Sequence, residues 1–249
     1  MDRKNVLVTG GTGFVGKRLV KRLRDMGHSV YVSNTKTLNL YKVENLYELN
    51  SIKMDYIFHL AVATEAGDYC LTHQGEQWVN NQILNTNILS YWRDFQPQAK
   101  LISMGTSGSY PVNSPMREGN YLLGSPEEDL FTYAMTKRML LIGQMALEKQ
   151  YGLKWLHLVP STIYGPGFHE GDHHMIIDLI RKIYNGKHYG TSVELWGDGY
   201  QRRELIYIDD AIEAMLGLLG EENQVFNLGS SNDLPIRHFA EQICNIVGY

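Results

Sequence analysis

The sequence predicts an α/β protein built on a doubly wound parallel sheet, with a smaller, discontinuous C-terminal domain. Three observations support this. Apolar strand patterns alternate repeatedly with helical periodicity through short links, as in βαβ units rather than hairpins. The first strand pattern, Asn5 to Val8, enters a glycine loop that opens directly into a helix. After residue 164 the alternation gives way to a loop rich in glycine and histidine, then short strands and helices. A chain of 249 residues has room for one large or two modest domains.

The glycine loop reads as Gly10-x-x-Gly13-x-x-Gly16 or as Gly11-x-Gly13-x-x-Gly16. Either way one glycine turns the chain, one lets the backbone approach a pyrophosphate, and one lets helix and strand pack closely. N–H groups at the helix start then face the anion, aided by the helix dipole. This context points to a Rossmann-type dinucleotide site with Gly10, Thr12, Gly13, Phe14, Val15 and Gly16 against the cofactor. The competing reading is a strand–helix turn that is merely glycine-rich. The first helix spans roughly Val15 to Met26 and stops at Gly27. The next strand, His28 to Ser33, ends without the Asp or Glu that would hold an NAD ribose. Ser33, Asn34 and Lys36 stand there instead and suit a 2′-phosphate, so NADP is the first expectation and NAD the second.

Leu38 to Leu40 reads as a short third strand and Val43 to Leu49 as a helix. Tyr56 to Ala61 is a buried strand, and its small end at Leu60 and Ala61 lets a cofactor pass over the backbone. Glu76 to Phe95 is a long helix with apolar residues on more than one face, and Pro97 stops it. Leu101 to Ser103 is a strand leading to Thr106. Residues 112–130 are rich in Pro, Gly, Asn, Ser and acids and read as a surface loop. A helix from Phe131 to Tyr151 follows, then a strand from Trp155 to Val159 ended by Pro160, which joins the cofactor-binding set. Beyond a loop at 164–174 come a helix from Met175 to Tyr184, strands at Glu194–Trp196 and Glu204–Ile208, a helix Asp209–Leu219, a strand Val225–Asn227 and a helix Ile236–Val247. The domains expected are residues 1–164 for the dinucleotide and 165–249 mainly for substrate, with some segments returning to the first.

Net charge is −4 and there is no long basic run, which argues against a nucleic-acid partner. No apolar run approaches the ~20 residues of a membrane span. Two cysteines suggest no disulfide framework and a cytoplasmic setting. The double-sided helices at 76–95 and 131–151, the second bearing Met135, Met139 and Met145, suggest a homodimer. His169, His173 and His174 have no cysteine nearby, and no metal is expected.

Tyr133 and Lys137 lie four apart on one helix face. A nearby ammonium would lower the tyrosine pKa toward working pH and let it pass a proton to or from a sugar oxygen. The Thr106 hydroxyl, at a strand end, could hold the same oxygen. One Tyr-x-x-x-Lys pair is the chance expectation for such a composition, so its force comes from its helix and its neighbours.

These motifs, together with Gly105 to Pro111, Asn81 and Asn87, Pro160 to Pro166, Trp196-Gly-Asp-Gly and Arg203 to Asp210, resemble the extended short-chain dehydrogenase/reductases. This is the NAD-dependent epimerase/dehydratase family, and the likeness is strongest to its GDP-L-fucose synthase-like nucleotide-sugar reductases. The resemblance covers the whole chain. It implies catalytic roles for Thr106, Tyr133, Lys137 and His174, and substrate contacts for Ser107, Gly108, His174, Trp196 and Arg203. Tyr133 and Lys137 would also touch the cofactor. Gly108 stands where those reductases have the cysteine used for epimerisation, and Ser107-Gly108 stands where dehydratases have an Asp-Glu pair. Cys70 is the other thiol that could lie near substrate. The family continues some tens of residues further, so a C-terminally shortened substrate domain is expected. The function implied is NADP-dependent reduction of a nucleotide-linked 4-keto-6-deoxy sugar without 3,5-epimerisation. The alternatives are a nucleotide-sugar C4 epimerase with retained NAD and a non-catalytic dinucleotide-binding sensor or scaffold.

Overall fold

A computed structural model describes residues 2–65, 69–168 and 174–249. Strands β1 (Asn5–Thr9), β2 (Ser29–Ser33), β3 (Tyr56–His59), β4 (Lys100–Met104), β5 (Trp155–Pro160) and β8 (Gln224–Leu228) form a six-stranded sheet in the order β2-β1-β3-β4-β5-β8. All its pairings are parallel. The chain leaves β1 on one side for β2 and returns on the other for β3, so the strand order reverses beside β1. That crevice, at the carboxyl ends of the strands, is where open α/β sheets bind ligands.

Alternating strand residues supply two cores. Leu7, Ile57, Leu101 and Trp155 face helices α3 (Gln74–Phe95) and α4 (Phe131–Tyr151). Val6, Val8, Phe58, Ile102 and Leu156 face α1 (Phe14–Asp25) and α6 (Ile208–Gly217). Burial on both faces explains the nearly continuous apolar strands. Gly152, at φ +70, ends α4 in the left-handed conformation expected of a C-terminal glycine. The second sheet is small: β6 (Thr162–Tyr164) runs parallel to β7 (Arg202–Tyr207), and β9 (Asp233–Pro235) pairs antiparallel with β7. Its core joins α5 (Met175–Tyr189), β7 and α7 (Ile236–Val247). Residues 208–228 return to the main sheet as α6 and β8. No helix among the described residues is long and apolar enough to cross a membrane.

Several expectations are corrected. Leu38 to Leu40 is not a strand: Leu38 takes φ +53 and its carbonyl accepts the Ser33 hydroxyl at 2.6 Å, folding 33–38 into a tight loop. Val43–Leu49 is a 3-10 helix. Glu194–Trp196 is irregular; the following Gly197 and Gly199, both at φ +76, bend the chain away from any strand path. The supposed surface loop at 112–130 holds a buried anchor, Tyr121, only 1% exposed. His169 and His173 lie outside the described residues.

Candidate active site

The glycine loop sits at the crevice. The Gly10 N–H donates to the Ser33 carbonyl at 2.9 Å and the Gly13 N–H donates to the Gly10 carbonyl at 3.0 Å. Gly10 has φ +66, and a Cβ there would lie 2.7 Å from the Ala61 nitrogen, so the loop presses on the end of β3 at Leu60 and Ala61. A Cβ on Gly16 would overlap the Gly10 carbonyl, which fixes how closely α1 approaches the loop. Gly13 differs: a Cβ there would meet one described atom within 4 Å, the Gly10 carbonyl oxygen at 3.3 Å. The loop thus leaves open backbone beside the start of α1, with Thr12, Phe14 and Val15 flanking it. These features fit a pyrophosphate.

At the end of β2 the sequence reading needs adjustment. The Ser33 hydroxyl is engaged by the Leu38 carbonyl and the residue is buried. Asn34 Oδ1 accepts the backbone N–H groups of Lys36 and Thr37 at 2.8 and 2.9 Å. Lys36 is exposed, and with the Asn34 amide group it remains for an anionic ribose substituent.

Thr106 follows β4 and begins a 3-10 turn, Ser107–Ser109; its Oγ1 accepts the Gly108 N–H at 3.3 Å. This turn packs on α4, where the Ser109 hydroxyl donates to the Ala134 carbonyl at 3.1 Å, one residue from Tyr133. Tyr133 is half-buried and Lys137 buried, with the Lys137 Nζ 5.6 Å from the centre of the tyrosine ring. The expected lowering of the tyrosine pKa is reversed. Burial, then Cys70 and Tyr121, push it up. Burial lowers Lys137 to about 8.

A cavity of about 500 Å³ opens in front of Thr106. Ser107, Gly108, Pro160's neighbours Val159 and Ser161, and Arg203 also line it. Sequence reading missed Tyr110, Glu127, Leu130, Arg202 and Asn227 there. Arg202 was signalled only as the first of an arginine pair; it forms an ion pair with Asp233 at 2.6 Å. A Cβ on Gly108 would lie 2.9 Å from the Leu130 Cδ1, so the leucine tip occupies the space that a side chain at 108 would enter. Tyr133, Lys137, His174 and Trp196 are not among the residues lining this cavity. His174 begins α5, its ring 5.4 Å from Phe168, which in turn stacks at 4.0 Å on Phe14 of the glycine loop. Trp196 is 88% exposed, with Lys182 over its ring at 5.0 Å, beside a separate groove lined by Arg237 and Glu241. Cys70 lies on α2 (Tyr69–Thr72), where the Gln77 Nε2 donates to its sulfur at 3.5 Å.

Two buried histidines flank Lys137 electrostatically. Thr9 Oγ1 lies 2.8 Å from the His59 Nδ1, and the His59 Nε2 lies 3.1 Å from the Asn85 Oδ1, whose amide donates to the Thr136 carbonyl at 3.1 Å. Burial, with a further push from Lys137, lowers His59 to about 4 and His157 to about 3. Both lie below the ordinary histidine value of 6.5, so between those limits the unfolded chain binds more protons than the folded one. The stabilisation is complete above pH 6.5 and is lost as pH falls toward 4 and 3, at about 1.4 kcal/mol for each pH unit separating the unfolded and folded values. Urea midpoints are expected to decline from pH 6.5 to 4.5, with a shallower decline in a His59→Gln variant. Identical slopes in the two proteins would contradict this.

Residues 6–229 match the model of the NAD dependent epimerase/dehydratase family. The chain is 27% identical over 270 residues to a GDP-L-fucose synthase from Escherichia coli (strain K12), covering all of this chain and 83% of that one. It is 26% identical over 254 residues to a GDP-L-colitose synthase from Yersinia pseudotuberculosis, covering 98% and 82% of the two chains. A GDP-mannoheptose C4 reductase from Campylobacter jejuni, solved with NADP bound, superposes with a TM-score of 0.87 at 23% identity, covering 100% of this chain and 86% of that one. At that identity the structural likeness speaks for the fold. With the family model spanning both the glycine loop and the Thr106–Tyr133–Lys137 constellation, the chain belongs to the NAD dependent epimerase/dehydratase family.

Proposed function

We propose that this protein is an NADP-dependent reductase of a nucleotide-linked 4-keto-6-deoxy sugar, GDP-linked by preference, that does not epimerise its substrate. The observation that carries the reading is the joining of the Thr106 turn to the Tyr133–Lys137 helix through Ser109 and Ala134. The names of the similar proteins support the substrate class, and one of them was solved with NADP. The glycine loop, Leu60, Ala61, Asn34, Lys36 and Pro160 would hold the cofactor. A reduced nicotinamide bound there supplies the hydride for carbonyl reduction. Thr106 Oγ1 would hold the carbonyl oxygen and Tyr133, protonated, would give it the proton. Lys137 would hold the nicotinamide ribose and keep positive charge beside the developing alkoxide. Arg203 and the smaller sheet would grip the nucleotide diphosphate. His174, at the start of α5, would approach from the glycine-loop side. Trp196 would need its loop to move to reach the sugar nucleotide.

Gly108 has no group to move a proton, and the Leu130 tip fills the space beside it. The test is turnover in heavy water with NADPH and GDP-4-keto-6-deoxymannose, following nicotinamide absorbance and reading the product by NMR. Oxidation of NADPH with no deuterium at C3 or C5 is expected. Deuterium at either carbon would refute the absence of epimerisation, and no oxidation of NADPH or NADH would refute the reductase reading.

A cytoplasmic homodimer completes the proposal. Both cysteines are free, as a reducing compartment would keep them. Trp78, Val79 and Ile83 on α3 and Met139, Ile142 and Met145 on α4 are exposed apolar residues on adjoining helices. Sedimentation at micromolar concentration is expected to show a dimer; a monomer would dismiss it.

A further inference from the structure

Tyr121 belongs to no element that the proposed chemistry uses, yet it is one of the largest fully buried side chains. Its hydroxyl accepts the Thr106 backbone N–H at 3.4 Å and lies 3.2 Å from the His157 Nε2. The other imidazole nitrogen, Nδ1, is 2.7 Å from the Ser103 Oγ, which is 2.6 Å from the Gln144 Oε1.

The direction of every bond in this chain can be assigned. Gln144 donates its amide N–H groups to the carbonyls of Leu101 and Leu156, both at 3.3 Å, so its oxygen faces Ser103. Ser103 has one hydroxyl proton and gives it to Gln144 at 2.6 Å, the Leu156 carbonyl being farther at 3.5 Å; it therefore accepts from the His157 Nδ1–H. The Nε2 lone pair is left to accept the Tyr121 hydroxyl proton, and the phenolic oxygen in turn accepts from the Thr106 N–H. The chain is complete, with each member donating and accepting in one sense. Fully satisfied buried networks of this kind fix one geometry.

The same segment is clamped from the other side. The Arg138 guanidinium is buried and follows Lys137 directly on α4. It donates through Nε and Nη2 to the Ser109 carbonyl, the former at 2.9 Å, through Nη1 to the Gly124 carbonyl at 2.7 Å, and through Nη2 to the Leu123 carbonyl at 2.9 Å. It thus ties both ends of the stretch that holds Tyr121 to the helix that bears Tyr133. Gly105 leaves no slack between them, since a Cβ there would lie 2.6 Å from both the His157 Nε2 and the Tyr121 hydroxyl.

We infer that Tyr121 is a positioning residue, which through the Thr106 N–H sets where the Thr106 hydroxyl stands relative to Tyr133. This rests on the reading of Thr106 and Tyr133 as the reaction centre. Small displacements of a group that orients a reacting carbonyl cost rate rather than binding.

The experiment is a double-mutant cycle of Tyr121→Phe and Thr106→Ala in the NADPH-dependent reduction of GDP-4-keto-6-deoxymannose, with cofactor affinity measured separately. Tyr121→Phe alone is expected to lower kcat roughly tenfold or more and leave NADPH affinity unchanged. In the Thr106→Ala background it is expected to cost almost nothing further, since the group it positions has gone. Additive losses, or wild-type kcat in Tyr121→Phe, would overturn the positioning role while leaving the reaction centre intact. Full activity in Thr106→Ala would overturn the reaction-centre reading and the positioning role with it. Amide exchange at Thr106 in the unaltered protein is a check that does not depend on any variant folding. Protection of that N–H is expected, and exchange as fast as an open loop would overturn the proposal.

Discussion

A Tyr133→Phe variant is expected to lose about a thousandfold in kcat for NADPH-dependent reduction while binding NADPH as the unaltered protein does. The substitution removes one oxygen and keeps the ring, so the packing of α4 and the contact of Lys137 with the ring face survive. What is lost is the proton donor. Burial is the main cause that holds the phenol protonated, with Cys70 and Tyr121 adding to it, and a protonated phenol is the form that carbonyl reduction consumes. Lys137 sets the pH limit. Its pKa is lowered to about 8 by burial, so it is charged below that value and loses its charge as pH rises through it. Reductive kcat is therefore expected to hold below pH 8 and to decline above. A Tyr133→Phe variant within about tenfold of full kcat would remove Tyr133 from the chemistry and assign the proton to another group.

Much of this was legible in the chain itself, because the informative signals are local. The glycine spacing, the strand patterns and the Tyr-x-x-x-Lys face each need fewer than ten consecutive residues, and the structure has the corresponding strands, helix starts and C-terminal glycines. What escaped depends on contacts between distant segments. Residues 112–130 look like surface by composition, yet Tyr121 is drawn inward by His157 and the Thr106 N–H, partners 36 and 15 residues away. Ser33 looked free to meet a 2′-phosphate, but the left-handed turn at Leu38 brings a carbonyl onto its hydroxyl. Glu194–Trp196 reads as a short strand, but a run of three residues does not say whether a partner strand is present. The expectation that Gly108 stands at a cysteine position came from the resemblance, whereas the Leu130 tip beside Gly108 could not be read from the sequence.

A Gly13→Val variant is expected to fold and to lose NADPH affinity by roughly a hundredfold or more, equivalent to about 2.7 kcal/mol. The backbone at Gly13 has φ −75 and ψ 179, an extended conformation open to any residue. Its one close neighbour among the described residues is the Gly10 carbonyl oxygen at 3.3 Å, which must give by a few tenths of an ångström to admit a side chain. Among the described residues, nothing in the protein's own packing thus calls for glycine here. The demand comes from outside, from an anion that must approach the backbone at the start of α1. Gly16 makes the opposite case, because a Cβ there collides with the Gly10 carbonyl and lies 2.7 Å from the Gly11 Cα. A Gly16→Val variant is therefore expected to lose thermal stability with or without cofactor. Calorimetric titration with NADPH and cofactor-free melting curves separate the two effects: Gly13→Val should move affinity and leave melting nearly in place, while Gly16→Val should move melting itself. If Gly13→Val binds NADPH as tightly as the unaltered protein, the loop is only a strand–helix turn, and the dinucleotide site must be sought elsewhere along the sheet edge.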